Sequence, residues 1–396
     1  MSPRRAPTRR ARGRRWPRRP AAAMARLADG AERLAQRAIA QLPQGRFEAV
    51  ERLDDGAMLA VVIDVGDGAM RIDFTGSSGV HALNLNATEA IVRSVAMYVV
   101  RVLVGSCSQV DGPNGGLNEG LLRPVSLHIP FGILAPHFHD DPARSPAVGA
   151  GNTETSQRVV DLLIKALGVA AASQGTMNNL LFGSDGRGSN DASQAPRTVR
   201  GDATRADAGA DSGTSPHAVP GRSSAAFGYY ETIGGGAGAG PGFPGADAVH
   251  VHMTNTRITD AEILEHRYPV RLERFAVRRG SGGAGAQRGG AGVVREIRFL
   301  EPMSVSLVTQ RRASAPFGGH GGAPGAPGIN TLVRGSGEAT SLGSSASIEV
   351  GRDDVLRIET PGGGGWGADQ VGSATAAPTT SADAWRSPHR AASARR

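Results

Sequence analysis

The sequence predicts an α+β protein: a mixed α/β first region followed by a mainly β, Gly-rich C-terminal region. Three observations lead there. Helix-period and strand-period segments alternate up to about residue 183. Beyond residue 227, strand-like runs are punctuated by glycine. Gly supplies 56 of 396 residues, against a hydrophobic fraction of 39% and an aromatic fraction of 4%. That balance suits tight turns and loop-rich β structure better than a helical bundle. The length allows one large domain or two ordinary ones.

The elements follow in chain order. "ARLADGAERLAQRAIAQLP" has the apolar spacing of a short helix. "FEAVERLDD", "AMLAVVIDV" and "AMRIDFTG" alternate as strands, the last two joined by the tight-turn signal "GDG". "NATEAIVRSVAMYVVRVLV" reads as a buried helix, with Asn86 as N-cap and Glu89 three residues on. "RPVSLHIPFG" reads as a strand, and "NTETSQRVVDLLIKALG" as a helix starting near Asn152 or Thr153. "SQGTMNNLLFG" closes the first region, residues 27–183. Residues 184–226 have almost no large apolar side chain and no period, so a disordered insertion is expected. A β-rich region, 227–368, then contains "VRLERFAVRRG", "VVREIRFLE", "MSVSLVTQ", "SASIEV" and "VLRIETPGGGGWG". Residues 369–396 read as a disordered Ser/Ala/Arg tail.

Charge and cysteine content restrict the function classes. The formal charge is +8, but the first twenty residues hold nine arginines and no acid, leaving −1 for the rest. The basic character belongs to a tail, residues 1–26, expected to be disordered; this argues against a nucleic-acid surface on the body. An alternative is that the tail precedes the translated gene and Met24 is the start. No apolar run is long enough to span a membrane. Cys107 is the single cysteine, so no internal disulfide or Cys-based zinc site forms, which fits a cytoplasmic setting. Cys107 itself reads as a small apolar residue.

Several short motifs fail on context. "GSGGAG" matches G-x-G-x-x-G, but a turn and a strand follow it, not the helix that faces a pyrophosphate. The only lysine, Lys165, excludes a Walker A loop, and no G-x-S-x-G occurs. "HFHDD" lies between prolines and reads as a solvated loop.

Other motifs leave polar residues without a structural reason. "NTETSQR" places Asn152, Thr153, Glu154 and Thr155 at a helix N-terminus, where free backbone amides can bind an anion or polar group, or where Asn or Thr only caps the helix. "QGTMNN" offers Asn178 and Asn179 as turn residues or amide contacts. If "VHVHMTNTR" is a strand, His250, His252, Thr254 and Thr256 share one face, and Val249, Val251 and Met253 the buried other. Two imidazoles there suit a metal or a proton relay, although a third ligand is missing. Thr259 and Glu262 form an expected capping box with Asp260 at the positive helix end, and the helix stops before Tyr268-Pro269.

Six blocks together resemble the hydantoinase B/oxoprolinase family: "GNTETSQRVVD", "SQGTMNN", "GYYETIGGGAG", "HMTNTRITDAEILEHRYPV", "RRGSGGAGAQRGGAG" and "IETPGGGGWG". They occur in the family's order, across residues 28–183 and 227–367. The resemblance implies a component of an ATP-dependent cyclic-amide hydrolase that opens 5-oxoproline or hydantoin rings. A hydantoinase A-like partner would bind ATP and activate the substrate oxygen. A carboxylase subunit related to acetone carboxylase is an alternative. Full-length members begin with a further long stretch, whose His- and Asp-rich blocks hold a divalent metal in the related carboxylase. That stretch is expected as a separate chain or as a loss, which makes a non-catalytic remnant or assembly subunit another alternative. The polar members of the blocks are the candidate site residues: Asn152, Glu154, Gln157, Asn178, Asn179, Tyr229, Glu231, His250, His252, Asn255, Arg257 and Asp260. Packing alone does not account for them.

Overall fold

The computed structural model describes residues 18–107, 118–185 and 226–368. Of the insertion expected at 184–226, residues 186–225 lie outside the described residues, as do the tail at 369–396, residues 1–17 and 108–117, while Ser184 ends a strand. Residues 18–26, expected within the tail, already belong to the first helix.

The first layer is a four-stranded sheet with three helices. Strands β1 (Gly45–Arg52), β2 (Met58–Gly66) and β3 (Ala69–Asp73) are antiparallel, and β4 (Val125–His128) runs parallel to β3. Asp67 and Gly68 join β2 to β3 with φ of 51° and 72°, both left-handed, as a two-residue hairpin turn requires. Leu59, Val61, Ile63 and Val65 all point to one buried face of β2. Against them pack helices α1 (Arg18–Ala40), α2 (Glu89–Cys107) and α3 (Ser156–Leu167), through residues such as Ile39, Val99 and Leu163.

Asn86 does not cap α2. It is fully buried and ties a loop together: its Nδ2 donates to the carbonyls of His81, Leu83 and Ala147. Thr88 occupies the capping place, with its carbonyl accepting from the Ile91 and Val92 amides.

The second half is built from two sheets. One has the order β12 (Ser345–Val350), β9 (Met303–Val308), β5 (Asn179–Ser184), β6 (Phe227–Glu231). The other is β11 (Ala339–Ser341), β10 (Ile329–Val333), β13 (Val355–Glu359), β8 (Gly292–Phe299), β7 (Val270–Arg278). Their facing residues, including Phe182, Ile297, Phe299, Val305, Leu307 and Leu356, form one second core. Strands β10 and β11 were not expected from the sequence. β5, at the end of the first region, pairs within the second half.

The glycines explain themselves between these layers. Segments 171–175, 234–240, 281–291, 316–325 and 361–367 lie side by side outside the sheets. They bond in several directions: Gly236 N to Pro361 O at 3.0 Å, Gly290 N to Ala237 O at 2.8 Å, Gly363 N to Gly290 O at 2.9 Å, Gly364 N to Ala172 O at 2.8 Å. A Cβ on Gly236 would overlap the Gly290 carbonyl, and one on Gly363 the Ala237 carbonyl. Only glycine permits this spacing, for the same reason that only glycine fits the axis of a collagen triple helix.

The stretch "VHVHMTNTR" is not a strand. Val249 makes one isolated bridge to Gly235, and Ala248 and His252 have φ of 54° and 56°. His250, His252, Thr254 and Thr256 therefore do not share a strand face. The capping box is also corrected. Helix α4 (Ala261–Arg267) is capped by Asp260, whose carboxylate accepts from the Glu262 amide at 3.0 Å, and not by Thr259. Among the described residues no helix is long and apolar enough to cross a membrane.

Candidate functional site

The site is organised by α3 and the π-helical turn that precedes it, Gly151–Thr155. Such single π turns inside helices recur at functional positions. Here no side chain caps the start, and a Cβ on Gly151 would overlap the Asn86 carbonyl. Glu154, Gln157 and Asp161 recur at the 3- and 4-residue spacing that places them on one face. All three are fully buried, as is Arg158. The apolar residues of α3 enter the first core. Its polar stripe faces residues 173–179, 249–254 and 309–312, on the seam between the two halves.

Glu154 is strongly perturbed by its surroundings. Its Oε1 accepts from the Asn179 amide group at 2.6 Å and the Met177 N–H at 3.1 Å, while Oε2 has no partner. Burial raises its carboxyl pKa to about 7, against opposing help from Thr176, Met177, Arg312 and Asn179. Near neutral pH it thus exchanges a proton, which ordinary glutamates do not.

Both asparagines are saturated. Asn179 also donates to Val308 O at 2.6 Å and accepts from the Tyr230 hydroxyl at 2.6 Å. Asn178, with φ of 49°, donates to Gln174 Oε1 and Ile233 O and accepts from Arg312 Nη1 at 2.7 Å. Gln157 donates to Val251 O at 3.0 Å and Thr254 Oγ1 at 2.6 Å, and its Oε1 is unpartnered. That amide fixes the turn carrying His252.

An ionic network continues along the stripe. Arg158 Nη2 donates to Glu51 Oε2 at 2.8 Å and Arg52 O at 2.6 Å, and its Nε and Nη1 have no partner. Arg311 joins Glu51 (3.2 Å) to Asp161 (3.1 Å). Burial lowers the Arg158 and Arg312 pKa values to about 10 each, Arg158 further through the Arg311 charge. Buried ions in this arrangement are weak evidence for stability. Buried polar atoms without partners are uncommon in native interiors.

The remaining candidates divide. Glu231 accepts both Arg295 Nε (2.7 Å) and Nη2 (3.0 Å) and the Tyr229 hydroxyl (2.7 Å). This trio is buried in the second half and reads as a structural ion pair. Burial and the Glu231 charge push the Tyr229 phenol up. His250 is half-buried with Nδ1 unpartnered, and burial lowers its pKa. Asn152, Asn255 and Arg257 are exposed, and Asp260 is the α4 cap.

Asp161, Arg158, Glu51, Arg311, Arg312 and Tyr98 were not singled out from sequence. Polar residues interrupting the apolar helix "SQRVVDLLIK" were the available signal for Arg158 and Asp161; Tyr98, within a continuous apolar helix, gave none. A surface groove lies elsewhere, along α1 by Arg33, Arg37 and Asp67, and contains none of these groups. Among the described residues no three His, Cys, Asp or Glu side chains converge as a ligand set. Lys165 is engaged with Glu51 (2.8 Å) and Val50 O (3.0 Å) on a helix, not on a phosphate loop. Among the described residues these side chains fit neither a metal nor an ATP phosphate site.

The model of the family described as hydantoinase B/oxoprolinase matches residues 18–369. The chain belongs to that family. 5-Oxoprolinase 1 of Arabidopsis thaliana is 39% identical over 344 residues, which is 85% of this chain and 23% of that protein. The fold is shared with the ATP-dependent caprolactamase from Pseudomonas jessenii: TM-score 0.65, 21% identity, 90% of this chain and 57% of the other. It is shared too with nucleotide-free acetone carboxylase: TM-score 0.63, 15% identity, 84% and 46%. The chain thus spans about a quarter of its oxoprolinase relative, and the family blocks read from the sequence fall on α3, the glycine segments and the seam.

Proposed function

We propose that this chain is the C-terminal part of a B-type subunit in an ATP-dependent cyclic-amide hydrolase acting on 5-oxoproline or a hydantoin. A hydantoinase A-like subunit would bind ATP and phosphorylate the substrate oxygen. The further B-type region, present in the longer relatives, would supply any divalent metal. The work is assigned to the cytoplasm. The observation that carries this reading is the buried polar face of α3, where Glu154 Oε2, Gln157 Oε1 and Arg158 Nη1 have unmet hydrogen bonds. Each such group costs about 1–3 kcal/mol when left unpaired. A bound intermediate or a docked partner segment would meet them.

Ring opening needs a proton taken from water and one returned to the leaving nitrogen. A carboxyl that titrates near 7 in a buried seam suits one of these transfers. The test is reconstitution. This chain, an A-type subunit and the N-terminal B-type region are combined, and ring-opened product and ADP are followed with each part omitted in turn. Product formation that requires ATP and stops when this chain is left out is the expected result. Unchanged turnover without it would instead mark the chain as a dispensable assembly element.

A further inference from the structure

Three elements converge at His252. Tyr98 comes from α2, Asp161 from α3, and His252 from the turn that Gln157 holds. The Tyr98 and His252 rings meet edge-on, centroids 5.7 Å apart at 74°. The Tyr98 hydroxyl lies 3.2 Å from Nδ1. On the other side, Nε2 lies 3.4 Å from Asp161 Oδ1 and has no other partner. At that distance it is a loose polar contact and not a well-formed hydrogen bond.

The surroundings fix the tautomer. Asp161 is fully buried, and burial alone would raise its carboxyl. His252, Arg311 and Arg158 more than offset this and hold it below the usual carboxylate range. An anionic Asp161 also accepts from Arg311 Nη2 at 3.1 Å and the Ser173 amide at 3.3 Å. The imidazole proton therefore belongs on Nε2, which turns the Nδ1 lone pair toward the phenol. His252 is held at φ of 56° to reach this position. For a residue other than glycine that conformation is strained, and such strain clusters at functional sites. Asp161 is closed off and the His252 ring nearly so, while Tyr98 is half-buried.

We infer that Tyr98, His252 and Asp161 form an acid–base relay that meets a small molecule at the Tyr98 hydroxyl. The base is His252, the orienting group Asp161, and the exchanging group a water or an N–H of a cyclic amide. A water bonded to Tyr98 Oη gives its proton to that oxygen as the phenolic proton passes to Nδ1. The water oxygen then bonds to the acyl carbon, and the imidazolium is stabilised by Asp161. In reverse, the proton returns through Tyr98 to the nitrogen whose bond to that carbon breaks. No oxidant or further reactant is involved. The arrangement follows the logic of a nucleophile, a base and a third orienting group. The choice of a cyclic amide rests on the proposed function; the relay itself does not.

The test uses the chain alone with N-acetylimidazole as probe and peptide mapping of the acetyl groups. The chain has four tyrosines. In the reaction the Tyr98 oxygen bonds to the acetyl carbon, the reagent's C–N bond breaks, and the phenolic proton reaches the departing imidazole through Nδ1. Tyr98 should be acetylated faster than Tyr230, which is 51% exposed and whose hydroxyl donates to the Asn179 amide oxygen and not to an imidazole. His252→Asn, chosen because Asn tolerates a left-handed backbone, should slow Tyr98 at least about tenfold and leave Tyr230 unchanged. Equal Tyr98 rates in the two proteins would overturn the relay. Should the variant not fold, nitrogen NMR of the native chain decides: an Nε2-protonated His252 is expected, and an Nδ1-protonated ring would leave Tyr98 without a base. Both readouts are independent of ring-opening activity.

Discussion

Gly363→Ala should destabilise the chain by more than about 4 kcal/mol, a cost reserved for mutations that break a named structural constraint. The added methyl would overlap the backbone of Ala237 and Gly238, not the flexible end of a side chain. Gly363 also donates to Gly290 O and accepts from the Gly283 amide, both at 2.9 Å. Moving its segment therefore breaks bonds to two neighbours at once, and rigid interiors transmit such displacements. Gly228→Ala is the control. It sits on β6 with nothing near its Cβ position, and the change should stay within about 0.5 kcal/mol. Urea unfolding of the three proteins measures both. A Gly363→Ala chain as stable as its parent would mean that the glycine segments do not pack as described.

The second large effect concerns pH. Folding raises the Glu154 carboxyl from 4.5 to about 7. A carboxyl raised on folding contributes stability that is fully present below pH 4.5 and lost as pH rises toward 7. At ~1.4 kcal/mol for each pH unit, the loss is about 3 kcal/mol. Glu154→Gln keeps the shape of the protonated form and cannot ionise. Its stability relative to the native chain should therefore improve between pH 4.5 and 7 by about that amount, then level off. The contributions of other groups cancel in the comparison. Parallel stability curves for the two proteins across this interval would show that Glu154 ionises freely in the fold.

Much of the fold was legible where local pattern and final environment agree. β1, β2 and β3 alternate because one sheet face is buried, and "GDG" encodes a two-residue turn. The seam was legible in composition only. Glycine carries one code for turns and for close backbone approach, so segments 234–240 and 361–367 read as loops. "VHVHMTNTR" alternates like a strand, yet side chains take up its carbonyls: Gln174 Nε2 donates to Val249 O at 3.2 Å and Gln157 Nε2 to Val251 O at 3.0 Å. No neighbouring strand among the described residues pairs with it, and turn conformations at Ala248 and His252 win. Strands β10 and β11 are short and bounded by Gly and Pro, too little for a periodic signal.

The candidate site was legible in part. The family blocks pointed to Glu154, Gln157, Asn178, Asn179 and His252, which the fold brings onto one seam. They equally pointed to Glu231 and Tyr229, whose partner Arg295 gives them a structural role in the second half. The ionic partners of α3 escaped notice because a helix's polar face ordinarily meets water. Here the second half covers it, and that long-range packing leaves no local trace in the sequence.

Turnover of the reconstituted assembly carrying Glu154→Gln bears most directly on a working role for this seam. Ring-opened product is measured at about pH 7, where the carboxyl titrates, with ATP present and co-purification of the subunits as the check on assembly. A loss in kcat of at least about 100-fold with the assembly intact is expected, the scale at which acid–base groups contribute. Native-like turnover by the substituted assembly would contradict it and leave the polar face of α3 with a structural role alone.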